Sequence, residues 1–291
     1  MKISRAATFA KKIMMVMVVT FLAAAIFVSG FQLRKISAVY LNEAATRESL
    51  TQYRPGDSAS EHHADDSALS EDNSAYTSGN TDDASLSAAA ESADAENAMT
   101  DAGGLLREKV IVNQSIVDLR DEVNPDVVGW LTIPDTRIDY PFALGDDNSY
   151  YLGRDMYGND AVAGTLFMDC RCSADLSDFN TIIYGHNMKN NSMFGDLSHF
   201  ADTWFFENNR RGTIFLDDGT YTLEIFAYMV VSAEDKVVYD PMIESAAYYK
   251  YAAEYARNYR APAVPSANVV TLSTCGYEFS GARIVLLANV V

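Results

Sequence analysis

The sequence predicts a mainly β (α+β) domain: an eight-stranded barrel with one helix before it and a second helix inserted between strands six and seven. Short apolar runs recur from about residue 127 to the end of the chain, and turn residues separate them. Eight short strands in a region of about 185 residues favour a closed or nearly closed barrel. The predicted strands are Val127–Ile133, Ile138–Leu144, Gly164–Met168, Thr181–Tyr184, Gly212–Leu216, Tyr221–Val231, Val269–Ser273 and Arg283–Val290.

Three helices are predicted around these strands. The first, Leu105–Val123, has apolar residues at mixed three- and four-residue spacing, and Asn124-Pro125 ends it. A short helix is predicted at Ser192–Phe200. The inserted helix, Pro241–Ala256, is rich in Ala and Tyr. Its tyrosine stripe is interpreted as packing surface, because aromatic residues at helical spacing usually face a core.

A membrane anchor is predicted at the N-terminus. Ile13–Phe31 is a run of 19 uncharged residues, just long enough to span a bilayer as a helix. Four basic residues precede the run, which favours a cytoplasmic N-terminus and an exported C-terminus. A cleaved signal peptide, cut near Val28–Gly30, is the alternative. The length of the run favours a retained signal-anchor within residues 1–35.

Residues 36–104 are predicted to be a disordered, acidic, Ser/Ala-rich tether, which leaves residues 105–291 as the folded domain. Twelve acidic and no basic residues lie at positions 55–104, whereas the net charge of the whole chain is −18. Such a segment buries too little apolar surface to offset its ordering entropy. His62 and His63 lie within it and are interpreted as a solvated pair, since no partner ligands follow at metal-site spacing.

The chain has three cysteines, of which Cys170 and Cys172 form a C-x-C pair. Free thiols are favoured for this pair, because a disulfide between residues i and i+2 is strained. Two thiols alone make a poor metal site. The sequence has no Gly-rich phosphate loop and no basic groove, which argues against nucleotide and nucleic-acid partners. No metal and no cofactor is therefore predicted.

Three residues at strand ends carry the main functional signal. Cys275 closes the seventh predicted strand, His186 follows the fourth, and Arg283 starts the eighth. An imidazole can convert a thiol to a nucleophilic thiolate. A fixed cation can stabilise the oxyanion that forms when this thiolate attacks a carbonyl. Each residue alone has an ordinary structural explanation, but the three together predict a cysteine acyl-transfer site.

The segments around these residues resemble those of sortases, specifically class B. The resemblance extends over residues 105–291, and its fold is a barrel with an N-terminal helix and a helix between strands six and seven. It implies a transpeptidase that cuts a sorting signal in surface proteins and joins the new carboxyl end to an amine of a peptidoglycan precursor. The matching segments are Thr271–Cys275, Tyr184–Met188, Asn124–Leu131 and Ile138–Pro141.

Residue by residue, the resemblance makes Cys275 the nucleophile. His186 becomes the imidazole that protonates the leaving amine and later deprotonates the incoming one. Arg283 holds the substrate carbonyl and its oxyanion. The implied enzyme is a single-pass protein of the Gram-positive cell membrane, with its catalytic domain outside the cell.

The resemblance also implies a substrate motif like Asn-Pro-x-Thr. It places Asn148, Leu152 and Ser273 as candidate substrate-binding residues. The chain departs from the family at Gly276, where some members carry an acidic residue directly after the thiol, so a role for that acid is absent at this position.

Two alternative functions stay open. One is a sortase that polymerises or attaches pilin subunits, with a pilin lysine as the acceptor. The other, from a different class, is a membrane-tethered thiol redox protein using Cys170 and Cys172. A redox motif is normally C-x-x-C near a βαβ unit, and neither is present.

Overall fold

The computed structural model of the chain describes residues 2–56, 112–263 and 265–291. Its helices are α1 (Lys2–Leu50), α2 (Gln114–Glu122), α3 (Thr203–Asn208) and α4 (Ser245–Tyr255). Its strands are β1 (Val127–Thr132), β2 (Asp139–Ala143), β3 (Leu166–Met168), β4 (Asn180–Tyr184), β5 (Arg211–Leu216), β6 (Gly219–Ser232), β7 (Asn258–Tyr259), β8 (Val269–Cys275) and β9 (Ala282–Val290). Single 3-10 turns lie at Thr51–Tyr53 and Tyr150–Leu152, and a longer 3-10 helix spans Gly195–Ala201.

Eight of these strands form a mixed barrel. Their order is β5-β1-β2-β3-β4-β8-β9-β6, and a direct β5–β6 pairing closes the ring. All eight predicted strands are present, so the predicted fold class is confirmed. The two-residue strand β7, which pairs with β6 outside the ring, was not predicted.

Strand direction brings three strand ends to one edge of the barrel. β4 and β8 are parallel, so both end at the same edge. β9 runs antiparallel to β8, so it begins where β8 ends. A parallel pair needs a long crossover, and here the crossover contains β5, β6, β7, α3 and α4. We call this place the β4–β8–β9 edge.

The core lies on both sides of β8. Val270 belongs to the cluster inside the barrel, whereas Val269 points outward and packs under α4. Tyr248 and Tyr249 of α4 are buried against this outer face. The packing interpretation of the tyrosine stripe is confirmed for these two residues, while Tyr255 at the end of the helix is exposed.

The helices begin later than the sequence pattern suggests. α4 begins at Ser245 rather than at Pro241, because the Glu244 carboxylate accepts hydrogen bonds from the amides of Ala246 and Ala247 and caps the helix. Within the described residues, α2 begins at Gln114, after the non-helical Val112 and Asn113, and residues 105–111 lie outside the described residues.

The predicted helix at Ser192–Phe200 is a 3-10 helix, Gly195–Ala201. α3 follows it and was not predicted. The Asp202 side chain accepts a hydrogen bond of 2.8 Å from the Phe205 amide and caps α3. Asp202-Thr203 is the sequence signal that could have located this helix.

The end of α1 packs on the barrel. Leu50 is buried against a cluster that includes Trp130. The Arg47 guanidinium lies 4.9 Å from the centre of the Tyr140 ring, and Arg54 pairs with Asp139 at 3.1 Å. Within the range predicted as tether, residues 36–53 are therefore helical in the structure. The acidic residues of the predicted tether, from Asp57 to Asp101, lie outside the described residues.

Candidate active site

Cys275 and Arg283 are direct cross-strand partners at the β4–β8–β9 edge. Cys275 is the last residue of β8, it is exposed, and its register partner in β9 is Arg283. Residues directly opposite each other in an antiparallel pair project from the same face of the sheet. The thiol and the guanidinium therefore start from neighbouring positions on one face. The Arg283 side chain is half-buried and donates to the Ala282 carbonyl at 3.0 Å.

His186 reaches the same edge from β4. The parallel register pairs Tyr184 with Ser273, so two further residues along each strand lead to His186 and Cys275. Two hydrogen bonds continue the pairing with β8 beyond the end of β4. The Gly185 amide donates to the Ser273 carbonyl at 3.1 Å, and the Thr274 hydroxyl donates to the Gly185 carbonyl at 2.7 Å.

The turn that carries His186 requires glycine at position 185. A Cβ atom there would lie 2.4 Å from a Leu166 methyl group and 2.8 Å from the Phe194 ring. The Phe194 amide donates to the His186 carbonyl at 2.9 Å, and the Asn187 side chain donates to the Cys275 carbonyl at 2.8 Å. The imidazole-bearing turn is thus bonded directly to the end of β8.

The three predicted substrate-binding residues have different surroundings. Leu152 is exposed, and its carbonyl oxygen lies 2.7 Å from His186 Nε2. Asn148 accepts a hydrogen bond from the Cys170 amide at 2.8 Å. Ser273 is only 1% exposed, so its side chain does not line an open surface. Leu152 is the member of this set that the structure brings into contact with the predicted catalytic group.

Tyr239, in the loop between β6 and α4, is a site residue that the sequence pattern did not indicate. Its hydroxyl lies 2.9 Å from the Ser273 hydroxyl, two residues before Cys275. Burial raises the pKa of Tyr239 to about 12, although the Ser273 hydrogen bond and the Arg283 charge act in the opposite direction. The phenol is therefore neutral at physiological pH. No local motif marks this residue, because its partner is 34 positions away.

A buried carboxylate supports this side of the site. Asp169 accepts two hydrogen bonds of 2.8 Å from the Arg171 guanidinium and one of 2.8 Å from the Tyr184 hydroxyl. Burial acts to raise the pKa of Asp169, but the bonds from Arg171 and Tyr184 outweigh it and hold that pKa below its ordinary value. The Tyr184 ring in turn stacks on Tyr239, with ring centres 6.2 Å apart.

We expect Asp169→Asn to lower the free energy of unfolding by about 1–3 kcal/mol at pH 7, since charged hydrogen bonds to a buried group are lost. The folded-state pKa is depressed, so the wild-type carboxylate stabilises fully above its ordinary pKa of 3.8 and less as pH falls below it. The difference between the two proteins should therefore shrink in acid. Urea titrations from pH 7 down to pH 3 measure it, and a gap that stays constant with pH would contradict this account.

The C-x-C cysteines lie apart from the β4–β8–β9 edge. Both are free thiols in the structure, Cys170 exposed and Cys172 buried. Burial raises the pKa of Cys172 to about 11, so this sulfur stays protonated at neutral pH and is a poor nucleophile.

The loop between β8 and β9 supplies a carboxylate beside Gly276. A Cβ atom on Gly276 would lie 2.6 Å from the Glu278 carboxylate. Glu278 accepts a hydrogen bond of 2.9 Å from the Tyr277 amide and lies 3.8 Å from the Arg257 guanidinium. An acidic group is therefore present next to Gly276, contributed from two residues further along the chain.

Comparison with known proteins gives one consistent result. The family model for the sortase domain matches residues 131–291, more than half of the chain. Sortase B of Listeria monocytogenes is 36% identical over 195 residues, which cover 62% of this chain and 77% of that protein. The crystal structure of Clostridium perfringens sortase B has a TM-score of 0.56 and 30% identity, over 60% of this chain and 98% of that one.

A class B sortase of Streptococcus pyogenes, described as involved in pilus biogenesis, is also similar. Its TM-score is 0.56 at 27% identity, over 60% of this chain and 97% of that one. The family match includes all three strands that meet at the β4–β8–β9 edge. The barrel and its relatives therefore agree, and the chain belongs to the sortase family of transpeptidases, class B.

Proposed function

We propose that the chain is a membrane-anchored cysteine transpeptidase that cleaves a sorting signal in surface proteins and transfers the acyl group to a peptidoglycan-precursor amine. The observation that carries this proposal is the position of Cys275, His186 and Arg283 at one barrel edge, at or just beyond the ends of three adjacent strands. A thiol, an imidazole and a fixed cation are the groups that thioester-forming acyl transfer requires.

In the proposed first step, the Cys275 thiolate attacks the scissile carbonyl carbon and forms the carbon–sulfur bond. The carbonyl oxygen becomes an oxyanion, which the Arg283 guanidinium stabilises. Protonated His186 then gives its proton to the leaving amine as the carbon–nitrogen bond breaks. A thioester between Cys275 and the sorting signal remains.

In the proposed second step, the acceptor amine attacks the thioester carbon and loses a proton to His186. The carbon–sulfur bond breaks, and the Cys275 thiolate leaves as the new amide forms. Water can replace the amine, in which case the product is a free carboxylate. The ratio of amide to carboxylate therefore reports how well the acceptor is recognised.

The proposed recognition residues are Asn148, Leu152 and Ser273, with an Asn-Pro-x-Thr-like motif as substrate. Leu152 supports this assignment, because its side chain is exposed and its backbone carbonyl oxygen lies 2.7 Å from His186 Nε2. A buried Ser273 would contribute through its bond to Tyr239 rather than by direct contact.

A peptide library of the form Asn-Pro-x-Thr-Gly/Asn, incubated with and without an added amine, tests the function. We expect cleavage after Thr, with an amide product that appears when amine is present. Mass spectrometry distinguishes amide from carboxylate. A protein that cleaves no member of the library under conditions where it is folded would contradict the proposal.

Attachment or polymerisation of pilin is a second candidate, since one similar structure is that of a sortase involved in pilus biogenesis. Both candidates share the thioester and differ in the acceptor. Wall-precursor amines and a lysine-containing pilin peptide, supplied in competition, separate them.

The anchoring part of the proposal rests on α1. Within the described residues, the helical segment Thr20–Tyr53 contains a stretch of 18 residues that is apolar enough to cross a membrane, a test that a signal sequence also passes. We expect protease treatment of intact spheroplasts to remove the catalytic domain and leave a small membrane stub. Recovery of a freely secreted chain that starts near Phe31 would support the cleaved signal peptide instead.

The acidic segment is proposed to be dispensable for chemistry. Residues on both sides of it contact the barrel: Arg54 pairs with Asp139 at 3.1 Å, and the Asn113 amide donates to the Asp217 carbonyl at 2.7 Å. We expect deletion of residues 60–104 to leave the peptide-cleavage rate in solution close to that of the full exported region. A large loss of soluble activity would show that the segment contributes to the fold or to the site.

A further inference from the structure

The loop between β6 and α4 is held by four consecutive backbone carbonyls, those of residues 238–241. The Asn180 side-chain amide donates to the carbonyls of Val238 at 2.9 Å and Asp240 at 3.1 Å, and its backbone amide donates to Pro241 at 3.1 Å. The Arg171 guanidinium donates to the remaining carbonyl, that of Tyr239, at 3.0 Å. We call this arrangement of Asn180 and Arg171 on carbonyls 238–241 the carbonyl clamp.

Both donors of the carbonyl clamp are themselves fixed. Asn180 is fully buried, and its side-chain oxygen accepts hydrogen bonds from Thr271 at 2.7 Å and Tyr248 at 3.4 Å. Arg171 is held by its two-pronged pair with Asp169. Bidentate, charge-assisted bonds restrict orientation as well as distance. The carbonyl clamp therefore holds the loop against the barrel through groups that are already immobile.

The residue at the centre of the carbonyl clamp is Tyr239. Its ring stacks on Tyr184, and its hydroxyl bonds Ser273, whose strand ends at Cys275. Fixing the carbonyls before, at and after Tyr239 fixes the direction in which this side chain leaves the backbone. The carbonyl clamp is thus connected to the thiol through one side chain.

We propose that Asn180 and Arg171 are positioning residues that hold Tyr239 against the Cys275 end of β8 and thereby keep the site in its reactive geometry. This inference rests on the proposed function for its kinetic readout. Small displacements matter at such a site, since a misplacement of about 1 Å can lower turnover about 100-fold. A loop tied only by its ends would not hold an aromatic ring to that tolerance.

Arg171→Gln is the test variant, because this side chain is half-exposed and its truncation opens no cavity in the barrel core. We expect kcat for peptide cleavage to fall by about 10- to 100-fold, with a smaller change in KM. Arg171→Lys keeps the charge beside Asp169 but lacks the planar pair of N–H donors. Compared with Arg171→Gln, it should recover the stability but only part of the turnover. The matched control is Arg211→Gln, an exposed arginine at the start of β5 that lies 3.9 Å from Glu224.

A double-mutant cycle shows whether Arg171 acts through Tyr239. If it does, Arg171→Gln has little further effect on kcat/KM in a Tyr239→Ala background. If the two substitutions instead lower kcat/KM by independent factors, so that the double variant shows their product, the inference is overturned. So would wild-type kcat in both Arg171 variants.

A second readout does not depend on activity. Amide hydrogen exchange over residues 236–243 should become at least about ten-fold faster in Arg171→Gln than in wild type or in Arg211→Gln. If the exchange rate in Arg171→Gln is unchanged, the positioning role proposed for the carbonyl clamp is overturned, even if the protein cleaves no peptide. A wild-type protein that cleaves no peptide, with exchange altered as expected, would instead count against the proposed function alone.

Discussion

Cys275→Ala is expected to abolish peptide cleavage and amide formation. Cys275 is the thiol that shares an edge with His186 and Arg283. Removing the nucleophile of a catalytic constellation typically lowers turnover by about 10⁴- to 10⁶-fold. The side chain is exposed at a strand end, so its truncation creates no cavity in the core, and the melting temperature should stay near that of wild type. Stopped assays with mass detection of both products measure the loss.

The matched control is the double variant Cys170→Ser with Cys172→Ser, which should keep most of the activity. Cys172 is buried with a raised pKa, and Cys170 adjoins Asn148 rather than His186. A thioester should also accumulate on wild type when the amine is omitted, and not on Cys275→Ala. An inactive double variant together with an active Cys275→Ala would move the chemistry to the C-x-C pair and favour the redox alternative.

The barrel was predictable because each of its eight strands is a local pattern. β5, for example, alternates buried and less buried residues between clear turns, and the Asp217–Thr220 segment marks the hairpin to β6. Strand direction was not predictable in this way. The parallel pairing of β4 with β8 depends on contacts between residues about 90 positions apart, which leave no periodicity in either segment.

The catalytic candidates could be located because Cys275, His186 and Arg283 lie in segments with recognisable local sequence. The residues that hold these candidates in place could not be located in the same way. Tyr239 reaches the site from a loop, and Asn180 bonds carbonyls 58 and 60 positions away. Backbone carbonyls carry no sequence signal, because every residue has one. A buried polar side chain predicts that some partner exists, but only the fold identifies it.

The position of the acid near Gly276 shows the same limit. Gly276 in the sequence indicates that the acidic group found in some class B members is missing. In the structure, the Glu278 carboxylate occupies the space where a side chain at position 276 would begin. Loop geometry, rather than residue spacing, thus determines which groups surround Gly276.

Arg283→Lys is expected to lower kcat strongly while leaving the fold intact. A planar guanidinium can donate two parallel hydrogen bonds to an oxyanion and stays charged at any accessible pH. Lysine keeps the positive charge but cannot donate two parallel hydrogen bonds from one planar group. Losing one oxyanion donor typically costs about 2.7–4 kcal/mol of transition-state stabilisation, or about 10²- to 10³-fold in kcat. Arg283→Ala should lose at least as much.

The competing account makes Arg283 a structural residue paired with a surface acid, a role that lysine could fill. In the part of the chain that the structure describes, the hydrogen bond of the guanidinium goes to the Ala282 carbonyl, and no carboxylate forms an ion pair with it. kcat/KM and the melting temperature, measured side by side for both variants, separate the accounts. Low turnover with an unchanged melting temperature supports oxyanion stabilisation. Near-wild-type turnover in Arg283→Lys would remove Arg283 from the mechanism and leave Cys275 and His186 alone to explain the chemistry.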